Sequence, residues 1–143
     1  MKYLGLDLGS RTLGIAISDA SGIIASSYSV IRHNEDYDSL VLEVERLVKE
    51  KFIDEIVLGL PKNMNNTIGE KAKLSYKFKD MLEDKIKLPV HLVDERLTTK
   101  LVTDLLISND TSRKKRKKVV DSMAASIILQ SYLDMKGRNN NEE

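Results

Sequence analysis

Residues 1–19 read MKYLGLDLGSRTLGIAISD. From Tyr3 to Gly9 the stretch alternates. Leu4, Leu6 and Leu8 fall on one side of a strand; Gly5, Asp7 and Gly9 fall on the other. Gly9-Ser10-Arg11-Thr12 supplies a turn. Alternation then resumes, with Leu13, Ile15 and Ile17 opposite Gly14, Ala16 and Ser18. The stretch reads as a β-hairpin with one apolar face and one face of small residues. Asp7 stands on the small face, between two glycines. Its plain reading is a strand carboxylate that accepts a hydrogen bond at a sheet edge. A buried carboxylate is costly unless paired or metal-bound, and bare backbone on either side leaves room for a ligand to approach. The hairpin by itself suits two chemistries: the first metal-binding acid of a nuclease, or the phosphate-binding hairpin of an ATP-using fold.

Further along, Asp19-Ala20-Ser21-Gly22 is a second turn, and Ile23 to Ile31 a third strand, so the chain opens as a meander. From Asp38 the period becomes helical, with Leu40, Val44, Leu47 and Val48 on one side and Asp36 or Asp38 as N-cap. Glu55–Leu60 is a continuous apolar run that suits a buried parallel strand. The Pro61–Asn66 loop after it reads as a plain connection or a contact surface at a strand's carboxyl end, the plain connection being favoured. Thr67-Ile68-Gly69-Glu70 has the form of a capping box. The helix it opens runs to about Asp84, with Ile68, Ala72, Ser75, Phe78 and Leu82 inward. Pro89 to Val93 is a strand ending in Asp94-Glu95-Arg96, and Lys100 to Ile107 a short helix. His91 and His33 are read as structural residues without a visible partner.

Arg113 to Lys118 (RKKRKK) is an unbroken run of six cations that cannot enter a core. It reads as a solvated loop or, preferably, as a contact for a phosphate backbone. Val119 to Lys136 is the last helix. Asp121 shares a stripe with Ala124, Ala125 and Ile128, so it is placed toward the sheet, near the helix N-terminus where the macrodipole favours its charge. Gly137 to Glu143 is expected to be a disordered tail.

Length and composition agree with a single domain. The 143 residues carry 23 Lys plus Arg against 22 Asp plus Glu, so the basic charge is localised rather than global. With no cysteine there is neither a disulfide framework nor a thiolate metal site, and a reducing cytoplasm is the expected setting. No apolar run approaches the ~18 residues of a membrane span, and no signal peptide is read. With no Trp, two Phe and five Tyr, a stacking platform for single strands is not an obvious feature.

The elements read βββαβαβαα, a topology that lets the first strand sit centrally and Asp7, Glu95 and Asp121 converge. Three carboxylates without His or Cys suit Mg²⁺ or Mn²⁺, and two such ions support phosphodiester hydrolysis. The segments GLDLGSRTLGIAISD (5–19), VLGLP (57–61), VDERLTT (93–99) and RKKRKKVVDSMAASIILQSYL (113–133) together resemble the YqgF family, also called RuvX. Its members are pre-16S ribosomal RNA nucleases or Holliday-junction-resolvase-like proteins of bacteria. The resemblance implies an RNase H-like three-layer α/β fold. Its mixed five-stranded sheet would hold an antiparallel meander plus parallel strands, in one domain over residues 1–136.

The resemblance further implies a metal-dependent nuclease acting on structured nucleic acid, with precursor ribosomal RNA as the expected partner. Asp7, Glu95 and Asp121 would be both catalytic and metal-binding, with Asp94 able to replace or assist Glu95. Arg11 and Arg96 would clamp phosphates or pair with the acids. Arg113, Lys114, Lys115, Arg116, Lys117 and Lys118 would hold the backbone. No other cofactor is implied. A Holliday junction resolvase and a non-catalytic, ribosome-associated RNA-binding module are the alternatives. An actin-like or sugar-kinase-like ATP-binding fold needs two lobes, which this length does not supply.

Overall fold

The alternating leucines of the first strand put it at the centre of a sheet. The structure, a computed structural model, describes residues 1–61, 69–94 and 113–141. It contains β1 (Tyr3–Leu8), β2 (Thr12–Ser18), β3 (Ala25–Arg32), α1 (Tyr37–Lys51), β4 (Glu55–Leu60), α2 (Glu70–Ile86), β5 (Val90–Asp94) and α3 (Arg113–Asn141). In α3, side chains are described for residues 123–137. The strand order is β3-β2-β1-β4-β5, antiparallel from β3 to β1 and parallel from β1 to β5. The expected mixed five-stranded sheet with a central first strand is therefore present. The expected helix over Lys100–Ile107 and the Pro61–Asn66 loop beyond Pro61 lie outside the described residues.

Several boundaries differ from the sequence reading. β3 begins at Ala25 rather than Ile23, because Asp19 Oδ1 accepts from the N–H groups of Ile23 (2.8 Å) and Ile24 (2.9 Å). Those bonds, Ile24's foremost, also hold the Asp19 carboxyl below its usual pKa. In α1, Asp36 is the cap: it accepts from the Ser39 N–H at 3.2 Å. α2 starts one residue after Gly69, which caps it without a side-chain bond, so Thr67 is not its N-cap. α3 begins at Arg113 rather than Val119 and reaches Asn141 rather than Lys136. The basic run is thus helical, since Lys and Arg lose little rotamer freedom in a helix. Residues 137–141, expected to be disordered, continue the same ladder, because extending a helix costs far less than starting one.

Two cores lie on the two faces of the sheet. Leu4, Leu6, Leu13, Ile15, Ile56 and Leu58 meet α1 and α2, including Leu40, Val44, Phe78 and Leu82. The expected inward positions Ala72, Ser75, Phe78 and Leu82 of α2 are all buried. On the other face Tyr3, Ala16 and Val57 meet Ala125, Ile128, Leu129 and Leu133 of α3. This second interface is tight. A Cβ at Gly5 would lie 2.7 Å from Leu129 Cβ and 3.0 Å from the Ala125 carbonyl oxygen.

Polar groups pin the C-terminal half of α3. The Gln130 side chain accepts from the Ala25 N–H and donates to the Ile23 carbonyl, both at 2.9 Å. Glu55, nearly buried at the start of β4, meets His91 Nε2 at 2.7 Å and Lys136 Nζ at 3.7 Å. Lys136 also donates to the Tyr3 hydroxyl, which raises the lysine's pKa. The His91 ring stacks on Tyr132 at 4.9 Å. His91 therefore has partners that the sequence reading did not foresee, and its role there is structural. Among the described residues no helix is long and apolar enough to cross a membrane.

Gly5→Val should cost about 1–3 kcal/mol, because added carbons would meet Leu129 and the α3 backbone. Urea denaturation checks this; an unchanged midpoint would mean that α3 is free to move off the sheet.

Candidate active site

Alternation in β1 places Asp7 on the same face as Tyr3 and Gly5, under α3. Its partner across the antiparallel ladder is Gly14. A Cβ at Gly14 would lie 3.6 Å from Asp7 Cβ and 3.6 Å from Ala125 Cβ. Asp7 is partly buried, with a glycine beside it and an alanine above. The small face read from the hairpin is therefore a cradle around one carboxylate.

The direction of α3 follows from the same contacts. Leu129 and Ala125 lie over Gly5, and Ala125 reaches Gly14 beside Asp7. The helix thus runs opposite to β1. Asp121 occupies the next position of this stripe, about 6 Å further along the axis toward the Asp7 end. Its side chain lies outside the described ones. Lys118 to Arg113 follow at about 10–18 Å beyond Ala125. The six cations occupy the helix N-terminal turns, and the first turn carries no acidic residue. Their side chains are likewise outside the described ones.

At β5 the pairing separates two candidate acids. Leu92 packs into the α1–α2 core and Val93 into the α3 core. Asp94, paired with Leu60, therefore takes the α1–α2 parity, opposite to Asp7. Glu95 and Arg96 lie outside the described residues. Among the described residues no group of three or more His, Cys, Asp or Glu is placed to hold a metal ion.

The hairpin turn holds the remaining described candidate, Arg11. Its guanidinium donates to Asn34 Oδ1 at 3.3 Å, and its carbonyl accepts from the His33 N–H at 2.9 Å. His33 has partners too, contrary to the sequence reading. Its Nδ1 accepts from the Glu35 N–H at 3.1 Å, so Nε2 carries the proton and donates to the Gly9 carbonyl at 3.0 Å. His33 is a clamp between the β1–β2 turn and the β3–α1 loop. Both its ring nitrogens are engaged, so it is not a base for the site. A groove of about 520 Å³ opens here, lined by Arg11, Thr12, Arg32, His33 and Asn34. Arg32 was missed in the sequence because the residue pattern ends the strand at Ile31, whereas Arg32 is the last residue of β3. Only the β2–β3 register brings it beside the turn.

Residues 1–135 match the RuvX family, described as Holliday junction resolvase. The chain belongs to the RuvX family. It is 48% identical over 139 residues to a protein of Ligilactobacillus salivarius strain UCC118, covering 96% of this chain and 95% of that one. It is 50% identical over 140 residues to a protein of Lactiplantibacillus plantarum strain WCFS1, covering 96% and 97%. Both relatives bear the name "Putative pre-16S rRNA nuclease". Among solved structures, Thermus thermophilus RuvC in complex with a Holliday junction substrate aligns with a TM-score of 0.58 at 13% identity, covering 94% of this chain and 96% of that one. The RuvX chain thus has the RuvC-like RNase H fold expected from its motifs.

The cradle of this RuvX chain is testable on its own. Gly14→Ala should leave stability within about 1 kcal/mol, since its Cβ would make ordinary contacts. Gly14→Leu should lose about 1–3 kcal/mol against Ala125 and Asp7. Equal urea midpoints for the two variants would show that no roof covers this position.

Proposed function

We propose that this RuvX chain is a metal-dependent endonuclease whose single domain, residues 1–136, trims the 5′ end of precursor 16S ribosomal RNA in the cytoplasm. The observation that carries the reading is the glycine-flanked carboxylate of Asp7 under the α3 stripe that leads to Asp121. The names of the near-full-length relatives supply the substrate.

The donor chemistry fits a hard divalent cation. Asp7 offers carboxylate oxygen in a cradle without a competing side chain at Gly14, and the chain has no cysteine. Asp7, Glu95 and Asp121 would hold Mg²⁺ or Mn²⁺, two ions in the fullest arrangement. Glu95 is preferred to Asp94 because Asp94 takes the opposite strand parity. When bound, such ions activate water and stabilise the leaving oxygen of a phosphodiester.

The chain's own cations do the positioning. Arg11 at the hairpin turn, Arg96 after β5, and Arg113 to Lys118 on α3 would hold backbone phosphates around the acids. Such contacts give register without sequence specificity. The macrodipole supports this use of α3, since its N-terminal end is a favourable place for an anion and a poor one for six cations. Association with the ribosomal precursor particle belongs to the same reading. The second reading, cleavage of branched DNA, is favoured by the family's description and by the junction-bound RuvC of the same fold.

The deciding assay offers a precursor ribosomal RNA leader and a DNA four-way junction to the protein with Mn²⁺. Cutting of the RNA alone is expected; cutting of the junction alone would transfer the protein to the resolvases. Asp7→Asn should abolish cleavage while RNA affinity and urea midpoint stay as in the wild type. Normal turnover in that variant would sink the metal-site reading.

Neutralising Lys114, Lys115, Lys117 and Lys118 together should flatten the salt dependence of RNA binding. If each lysine holds one phosphate, the slope of log K against log salt falls by about 3. An unchanged slope would make the basic turns a solvated helix end.

A further inference from the structure

The groove beside the hairpin turn is lined by two arginines, Arg11 and Arg32, and strand parity puts Arg32 on the Asp7 side of the sheet. Arg32 pairs with Thr12 across β2–β3, and Val30 pairs with Gly14, which pairs with Asp7. Ile31 packs into the α1–α2 core. Val30 and Arg32 therefore share the face of Gly14 and Asp7. Two strand spacings and two residues separate Asp7 from Arg32, about 12 Å.

The groove is built rather than incidental. His33 ties the Gly9 turn to the β3–α1 loop through both ring nitrogens and its own N–H. Glu35 contributes its N–H to that clamp from a left-handed backbone conformation at φ 64°. The Asp36 carboxylate is turned to Ser39 at the start of α1. Asn34 steadies one arm of Arg11. Among the described residues Arg32 has no ion pair, and Arg11 has only the Asn34 amide. Two exposed cations line the groove without an ion-pair partner among the described residues. A guanidinium is suited to phosphate oxygens, which accept its paired N–H donors.

We propose that Arg32, together with Arg11, forms a second backbone-binding subsite that holds a phosphodiester of the substrate strand flanking the cleaved bond. The subsite lies on the β3 side of Asp7, away from β5. It rests on the nuclease reading above for its ligand. The ~12 Å from Asp7 to Arg32 places that phosphodiester within a few nucleotides of the bond at Asp7. Arg32 is a positioning residue: it would fix where the strand lies and leave the chemistry to the acids.

The test uses the full chain and a leader RNA in which one neutral methylphosphonate is stepped along the strand, with EDTA present so that binding alone is read. In the wild type, neutralising the phosphate at one position within a few nucleotides of the cleaved bond should weaken binding by roughly fivefold. Arg32→Ala should weaken binding of the unmodified RNA by a similar factor. It should also lower the salt slope by about 1 and erase the penalty at that position alone. Arg32→Lys should restore the slope.

Wild-type affinity and slope in Arg32→Ala, or a methylphosphonate profile the same in both proteins, would overturn the subsite. The two readings fail separately. Cleavage with Mn²⁺ by a wild type whose profile Arg32→Ala does not change would remove the subsite alone. An Arg32-dependent profile in a protein that never cleaves would keep the subsite and remove the nuclease.

Discussion

The contact between α3 and the bare backbone at Gly5 governs the position of everything around Asp7. A Cβ there would overlap Leu129 and press on the Ala125 carbonyl, so the helix can lie this low only over glycine. Because it lies low, Ala125 reaches Gly14, and the cradle beside Asp7 acquires a roof. The same descent brings the Asp121 turn of the helix over the Asp7 end of the sheet. A larger residue in β1 would lift the helix and widen the site before any acid was altered.

The two faces of the sheet divide the work. The α1–α2 side is filled by Leu, Ile, Val and Phe and buries most of the apolar surface. The α3 side is built on small residues and is held in place by polar bonds. Gln130 joins the strand edge at Ala25, and Lys136 joins Tyr3 and Glu55. A buried carboxylate such as Glu55 is costly alone, but His91 and Lys136 both face it. These anchors sit in the C-terminal half of α3.

At the N-terminal end of α3 the charge is arranged against the helix's own field. Six cations stand at the positive end of the macrodipole, with no acid in the first turn. Across the sheet, Arg11 and Arg32 line a groove without a carboxylate partner among the described residues. A chain with nearly balanced totals has thus gathered cations on both sides of one carboxylate. A polyanion lying across that end of the sheet relieves both.

Much of this was legible in the residue pattern. The period-2 leucines of β1 and β2, the apolar run of β4 and the inward face of α2 are local consequences of side-chain spacing, and they appear as read; of the α3 stripe, Ala125 and Ile128 are buried against the sheet, with Leu129 added to them. What escaped depended on partners distant in the chain or on side chains that compete with the backbone. Asp19 took two amides and delayed β3; Gly69, not Thr67, caps α2; His33 and His91 found partners 24 and 36 residues away.

The sequence by itself determined the family and the fold, because motifs and periodicity are properties of neighbours along the chain. The tertiary structure decided that Asp94 takes the opposite parity from Asp7, and that Arg32 stands on the Asp7 face. The physical reason is that strand register is set by long-range pairing, and a shift of one residue moves a side chain to the other side of the sheet.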